Sequence, residues 1–210
     1  MGKVTKITPQ RNKKRVNIFV DNEFKSGLDL ETVMKYGLKV NEDIDDDYLD
    51  FLIEDSESIS AFDTALNFIS KTFKTQYEVK KKLYEKGYTT LVVEKTIKKL
   101  IDYNYIDDCA YAELYIKSST KKSKREIENK LKAKGISSEI LDSLLLEISD
   151  TFEEENATLY AAKYMKNKDW DDKNTRNLIS NLIRRGYTYD ISVKALNNLK
   201  GNDYDRDWFN

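Results

Sequence analysis

TQYEVKKKLYEKGYTTLVVEKTIKKL, residues 75–100, aligns without gaps with two later stretches, SKREIENKLKAKGISSEILDSLLLEI (123–148) and NTRNLISNLIRRGYTYDISVKALNNL (174–199). The anchors are Gly87, Gly135 and Gly186, spaced 48 and 51 residues apart. Internal repetition on that scale fixes an architecture before any single residue is considered. Thr75, Ser123 and Asn174 stand twelve positions before the glycines; all three are residue types that accept hydrogen bonds from free amides at a helix start. Glu78 and Glu126 follow three residues later and suit a reciprocal capping box. The pairs Val79/Leu83, Ile127/Leu131 and Leu178/Leu182 make an apolar stripe on one helical face. The glycine then sits where a helix ends in the left-handed conformation.

Two residues beyond each glycine come Thr89, Ser137 and Thr188, N-cap types again. They introduce a second amphipathic helix marked by Val92/Ile97/Leu100, Ile140/Leu145/Ile148 and Ile191/Leu196/Leu199. Upstream of each pair, Ala65-x-x-Phe68-Ile69, Ala112-x-x-Tyr115-Ile116 and Ala161-x-x-Tyr164-Met165 predict a further short helix. The chain therefore reads as mainly α, with three tandem three-helix repeats at 59–108, 109–154 and 155–200 and a polar tail at 201–210. Units this small bury their apolar faces poorly alone, so they are expected to stack into an elongated, curved array. The competing arrangement is one compact nine-helix bundle.

Residues 1–58 read differently. Alternation in Lys3–Thr8 and Arg15–Val20, with a turn at Asp21-Asn22-Glu23, predicts a β-hairpin or three-stranded sheet, joined by a basic loop from Pro9 to Arg15. Helices are expected at Leu30–Tyr36 and Tyr48–Glu57, the latter introduced by Asp45–Asp47. A small mixed α/β domain thus precedes the repeats.

The chain has 210 residues, 35% of them charged, with one Pro and seven Gly. It is too apolar for disorder and too poor in turn residues for a β-rich fold. It contains no His and one Cys, Cys109; His/Cys zinc sites, a catalytic imidazole and an internal disulfide are excluded. There is no phosphate-binding glycine loop and no nucleophile elbow. Asp107-Asp108, Asp171-Asp172 and Asp45–Asp47 could be imagined on a metal, but Asp107-Asp108 lies where capping a helix explains it. Cys109 is expected as packing material. The reading is a non-enzyme without cofactor or metal. With no signal core and no long apolar run, a cytoplasmic protein is expected.

Net charge is −1, but residues 1–20 carry +6 and residues 21–60 carry −10. Lys117 through Lys134 holds eight bases against Glu126 and Glu128. Lys121, Lys122, Lys124 and Arg125 fall at the start of a helix, where cations oppose the macrodipole. Helix stability does not account for them; contact with phosphates or an acidic protein surface does. Lys132, Lys134, Arg184 and Arg185 would extend this patch, with Arg11, Lys13, Lys14 and Arg15 as a second one. The bland reading is a solvated face, and Lys86, Lys134 and Arg185 are explained as well by complementing a helix C-terminus. Tyr77, Tyr84, Tyr88 and Tyr187 lie beside basic residues and could stack on bases. For Tyr88 and Tyr187 the simpler role is a plug between helices with the hydroxyl at the surface.

Leu83, Lys86 and Gly87, followed about twenty residues later by Asp107-Asp108 and Tyr111-Ala112, resemble the RecX family of recombination regulators. The resemblance covers 61–200, and the mixed segment before it looks like the extension of longer members. It implies binding along the groove of a RecA recombinase filament, restraining filament growth, ATP hydrolysis and strand exchange in recombination and DNA repair. For some members it also implies direct contact with single- or double-stranded DNA. The chain is expected to act as a monomer away from membranes. This chain is Lys-rich and near neutral where many relatives are Arg-rich. The alternative is a helical-repeat nucleic-acid-binding module with no RecA partner, separated from the first reading by whether binding requires the filament.

Overall fold

The computed structural model describes residues 1–11 and 13–206, with side chains up to Gly201. The chain forms two compact units, Met1–Ile106 and a second from Asp107 onward. The first opens with β1 (Gly2–Pro9), β2 (Arg15–Val20), β3 (Glu23–Asp29) and, after α1 (Leu30–Tyr36), β4 (Asp43–Ile44), in one antiparallel sheet of order β3-β2-β1-β4. Asp21 and Asn22 both take positive φ, 51° and 68°, the geometry of a tight two-residue hairpin turn. Val16, Ile18 and Val20 alternate into a core with Val4, Leu28 and Val33. The sheet thus has four strands rather than three. Its fourth, two residues pairing with Gly2 and Lys3, is too short to show alternation in sequence.

The expected helix at Tyr48–Glu57 is part of α2 (Asp46–Ile69), 24 residues that run through the predicted boundary at 58/59. No Gly or Pro interrupts this span, and Ser58-Ile59-Ser60 offers nothing strong enough to stop a helix. Its first half places Leu49 and Leu52 under the sheet, and its second half gives Ala61 and Ala65 to the next core. There they meet Val79 and Leu83 of α3 (Gln76–Glu85), and Val92, Val93, Ile97 and Leu100 of α4 (Thr90–Asp102).

The second unit contains α5 (Asp108–Ser118), α6 (Lys124–Ala133), α7 (Ser138–Leu146), α8 (Asp150–Met165), α9 (Asp172–Arg184) and α10 (Tyr189–Arg206). One core gathers Ala112, Ile127, Leu131, Leu141 and Leu145; another gathers Ala157, Ala161, Leu178, Leu182, Ile191 and Leu196. Helix α8 starts at N-cap Ser149, so the boundary drawn at 154/155 falls inside it, and α10 continues into the expected tail as far as Arg206. Residues 207–210 of that tail lie outside the described residues.

The three repeated glycines end their helices in the same way. Gly87, Gly135 and Gly186 have φ of 87°, 78° and 99°. The next amide donates back to a buried leucine carbonyl: Tyr88 to Leu83 at 3.3 Å, Ile136 to Leu131 at 3.1 Å and Tyr187 to Leu182 at 3.1 Å. The glycine amides themselves donate to Tyr84, Lys132 and Ile183, each at 2.9 Å. This is the Schellman arrangement, which satisfies carbonyls the helix end would otherwise leave open.

Thr75 and Glu78 form the complete capping box, and Thr89, Ser123 and Ser137 cap as read from sequence. In the second repeat Ser123 accepts from the Glu126 amide, but the Glu126 carboxylate binds Arg185 instead of closing a box. In the third, the cap of α9 is Asp171, which accepts from the Asn174 amide at 2.6 Å. Asn174 is displaced from the cap because the aspartate starts the helix a turn earlier, and its side-chain amide donates to the Asp169 carbonyl.

The glycines differ in what surrounds them. A Cβ at Gly87 would meet nothing within 4 Å, whereas one at Gly186 would come within 2.9 Å of both the Arg125 Cβ and the Ser123 Oγ. Gly87→Ala is therefore expected to cost about 1–2 kcal/mol through the left-handed backbone alone, and Gly186→Ala clearly more. Denaturant titration of both variants checks the order; equal losses would contradict it.

Candidate interaction surface

The N-terminus of α6 and the C-terminus of α9, about sixty residues apart in sequence, meet in the second unit. The Ser123 hydroxyl, fully buried, donates to the Arg185 carbonyl at 2.7 Å while accepting from the Glu126 amide at 3.1 Å. Arg185 donates to the Glu126 carboxylate at 2.8 Å, and its guanidinium carbon lies 4.5 Å from the centre of the Tyr160 ring. Helix α8 secures the loop before α6. The side chain of buried Asn156 accepts from the Lys121 amide at 2.8 Å and donates to the Ser119 carbonyl at 3.1 Å, and Glu153 accepts from the Lys124 amide at 2.9 Å. The negative charge of Glu153 sits where α6 offers free amides, which offsets the cations in its first turn.

This seam sorts the basic residues. Lys121 takes a left-handed φ of 63°. Lys121, Lys122 and Lys124 are half-buried and Arg125 is exposed, so the cluster is less open than the sequence suggested. The Lys122 ammonium donates to the Tyr115 hydroxyl at 2.9 Å and lies 4.5 Å from that ring's centre. It is a structural contact, and the backbones of Lys121 and Lys124 are tied down because they bridge α5 to α6. Lys132 pairs with Glu128 one turn before it at 2.6 Å, which holds its ammonium charged. Lys134 is the C-cap of α6 and half-buried. Arg184 is exposed and donates to Asn181. The structure thus lays Arg125 against Gly186, next to Arg185 at the end of α9, and does not join them to a free Lys122.

The N-terminal basic residues belong to the first unit. Arg15 opens β2 rather than lying in the loop, and its guanidinium donates to the Gly27 carbonyl at 2.6 Å. Lys14 stands 3.5 Å from Asp63, both exposed. Arg11 and Lys13 are exposed.

The carboxylates considered for metal are used locally. Asp45, Asp107 and Asp171 accept from the amides of Tyr48, Ala110 and Asn174 as helix caps. Asp108 is buried in the first turn of α5. Among the described residues no three potential metal ligands cluster. Cys109 is exposed, not packed: it lies in the first turn of α5, with its thiol 3.9 Å from the Glu113 carboxylate. Partial desolvation and the carboxylates of Glu113 and Asp107 push the thiol up from its usual range, away from the reactive thiolate form. Among the described residues no helix is long and apolar enough to cross a membrane.

Tyr77 and Tyr84 are half-exposed. Tyr88 plugs the end of α3 with its hydroxyl 3.3 Å from the Thr64 Oγ1. Tyr187 does the same for α9 but is 2% exposed, and its hydroxyl is buried without a hydrogen-bond partner. The surface hydroxyl expected from sequence is absent because the ring is buried in the core with Ala157 and Ala161 of α8 and Leu178 and Leu182 of α9. Burial pushes its phenol well up, opposed by Arg185. Sequence reasoning missed Glu153, Asn156 and Tyr160 entirely; an acid, an amide and a ring on a helix carry no local mark of the loop they hold.

Removing the orphaned hydroxyl should help. Tyr187→Phe is expected to leave stability unchanged or raise it by about 1 kcal/mol, while Tyr88→Phe lowers it slightly. Because folding holds the Tyr187 phenol protonated, the stability it contributes is complete below about pH 10 and falls as pH rises past the ordinary tyrosine value. Thermal melts of wild type and Tyr187→Phe at neutral pH and near pH 11 check this; a large loss in the variant at neutral pH would contradict it.

Comparison with known proteins places this geometry. Residues 2–45 match the regulatory protein RecX N-terminal domain, and residues 61–100 match the RecX first three-helix domain. The regulatory protein RecX of Clostridium acetobutylicum is 39% identical over 89% of this chain and 91% of its own length, and that of Clostridium perfringens strain 13 is 34% identical over 97% and 99%. A crystal structure of regulatory protein RecX superposes with a TM-score of 0.69 at 23% identity, covering 91% of this chain and 97% of the other. The RecX of Lactobacillus salivarius superposes at 0.60 with 25% identity, over 69% and 97%.

Proposed function

The chain belongs to the RecX family of regulatory proteins, and from that membership and the geometry above we propose that it regulates homologous recombination by binding the RecA filament and restraining its ATP hydrolysis and strand exchange. The observation that carries the reading is the seam. A partly buried network of Ser123, Glu126, Glu153, Asn156 and Arg185 fixes α6 against α9, and at that junction the first turn of α6 carries Lys124 and Arg125 and the last turn of α9 carries Arg184. Cations held on helix ends that the network fixes suit contact with an acidic surface or with phosphates. Repeated helix units supply several modest contacts each, the kind of binding whose affinity adds up on a filament of repeated protomers. The acidic groups that could have served hydrolysis are spent on helix caps, which supports a binding protein over an enzyme. We take the chain to act as a cytoplasmic monomer, the three repeats at 59–108, 109–154 and 155–200 serving as its recognition units.

The test is RecA-dependent ATP hydrolysis on single-stranded DNA with and without this protein. Substoichiometric protein is expected to lower the rate while hydrolysing nothing itself. Lys124→Glu with Arg125→Gln is expected to weaken the inhibition at least tenfold and leave the melting temperature within a few degrees, since glutamine keeps the methylene stem that Arg125 lays against Gly186. Inhibition unchanged by the double variant would move the contact elsewhere, to the Arg11–Lys14 loop. Absence of any effect on hydrolysis would overturn the reading.

A further inference from the structure

The first unit carries three exposed aromatic rings, Phe73, Tyr103 and Tyr105, that the filament reading does not use, two of them set around Phe62, which itself packs against the core. Helix α4 ends on a left-handed asparagine, Asn104 at φ 57°, with Tyr105 donating to the Leu100 carbonyl at 2.8 Å and Asn104 to Ile101 at 2.8 Å. This is the glycine stop of the repeats with Asn in its place, and it holds Tyr103 and Tyr105 outward, 59% and 54% exposed. Both rings meet Phe62 of α2 edge-on, at centroid distances of 6.3 and 6.4 Å, and each other at 6.2 Å. Tyr105 is also one wall of a groove of about 620 Å³ whose other walls include Lys71, Phe73 and Lys74 from the loop between α2 and α3. Phe73 is 76% exposed. Among the described residues no carboxylate lines this groove.

Ammonium groups attend the rings: Lys99 lies 4.3 Å from the centre of Phe62 and 5.9 Å from that of Tyr103, and Lys74 lies 5.0 Å from that of Phe68. Exposed rings interleaved with cations are the two parts of a surface for unpaired bases: flat faces on which any base stacks, and positive charge for the backbone between them. A duplex keeps its base faces covered and cannot use the rings. An apolar protein helix would use the rings but not the lysines. We propose that Phe73, Tyr103 and Tyr105, with Lys71, Lys74 and Lys99, form a binding site for single-stranded nucleic acid. The site stands apart from the filament reading, because it requires no recombinase.

Fluorescence anisotropy of the full chain with a short labelled oligothymidylate, and with the matching duplex, tests this without RecA. The single strand is expected to bind at least tenfold more tightly than the duplex. Phe73→Ala and Tyr105→Ala should each weaken strand binding roughly five- to a hundredfold, the loss of one base stack, and Phe73→Tyr should restore it. Lys71→Glu with Lys74→Glu should reduce the dependence of log affinity on log salt by about 0.7 for each phosphate no longer neutralised. Phe73 is so exposed that its alanine variant keeps the wild-type melting curve, so a failure to bind is not a failure to fold. No strand binding at low salt, equal affinity for the duplex, or wild-type binding by both alanine variants would overturn the proposal. So would unchanged strand binding by Phe73→Ala accompanied by loss of RecA inhibition, which would give the face to a protein partner.

Discussion

The left-handed residue that ends each first hairpin helix is the constraint on which the repeats depend. A helix that continued past Leu83, Leu131 or Leu182 would carry its apolar stripe away from the core. The glycine stops it within one residue and sends the next amide back to that same leucine's carbonyl. The residue carrying that amide, Tyr88, Ile136 or Tyr187, is thereby turned into the core or against it. Two residues beyond the glycine a Thr or Ser caps the following helix. Stop, plug and restart occupy three positions, so the turn between paired helices is set locally and made three times.

The third of these stops does a second job. Gly186 has to be bare not only for its backbone but because Arg125 and Ser123 occupy the space a side chain would take. One glycine thus terminates α9 and admits α6 to close approach. The hydrogen bonds from Ser123 to the Arg185 carbonyl and from Arg185 to Glu126 follow from that approach. Burying such polar groups is costly unless each finds a partner. Here Ser123, Asn156 and Glu126 do, while the Tyr187 hydroxyl and the Arg185 Nε do not. At Tyr187 packing of the ring took precedence over its polar end.

What was legible in the sequence was whatever has a short period or a local cause. The helix hairpins, their glycine stops, the caps at Thr75, Thr89, Ser123 and Ser137, the strand at Arg15–Val20 and the helix at Leu30–Tyr36 all rest on contacts within a few residues. The continuity of α2 was not legible, since a helix without breakers joins two domains' worth of apolar pattern and changes partners midway. The two-residue β4 left no pattern to find. Among the basic residues, composition identified the cluster but not its division: Lys122 is taken by Tyr115 and Arg185 by Glu126, both pairings set by tertiary approach. The exposed rings of Phe73, Tyr103 and Tyr105 were invisible for the same reason, because an aromatic residue in sequence is assigned to a core until the fold shows it outside one.

Recognition of an assembled filament is the central claim, and co-sedimentation measures it most directly. The protein is mixed with RecA assembled on single-stranded DNA with a non-hydrolysable nucleotide, with RecA lacking DNA, and with DNA lacking RecA. Saturable capture by the assembled filament is expected, well beyond what either component alone retains. Equal retention by bare DNA and by the filament would contradict the claim and leave a nucleic-acid-binding module in its place.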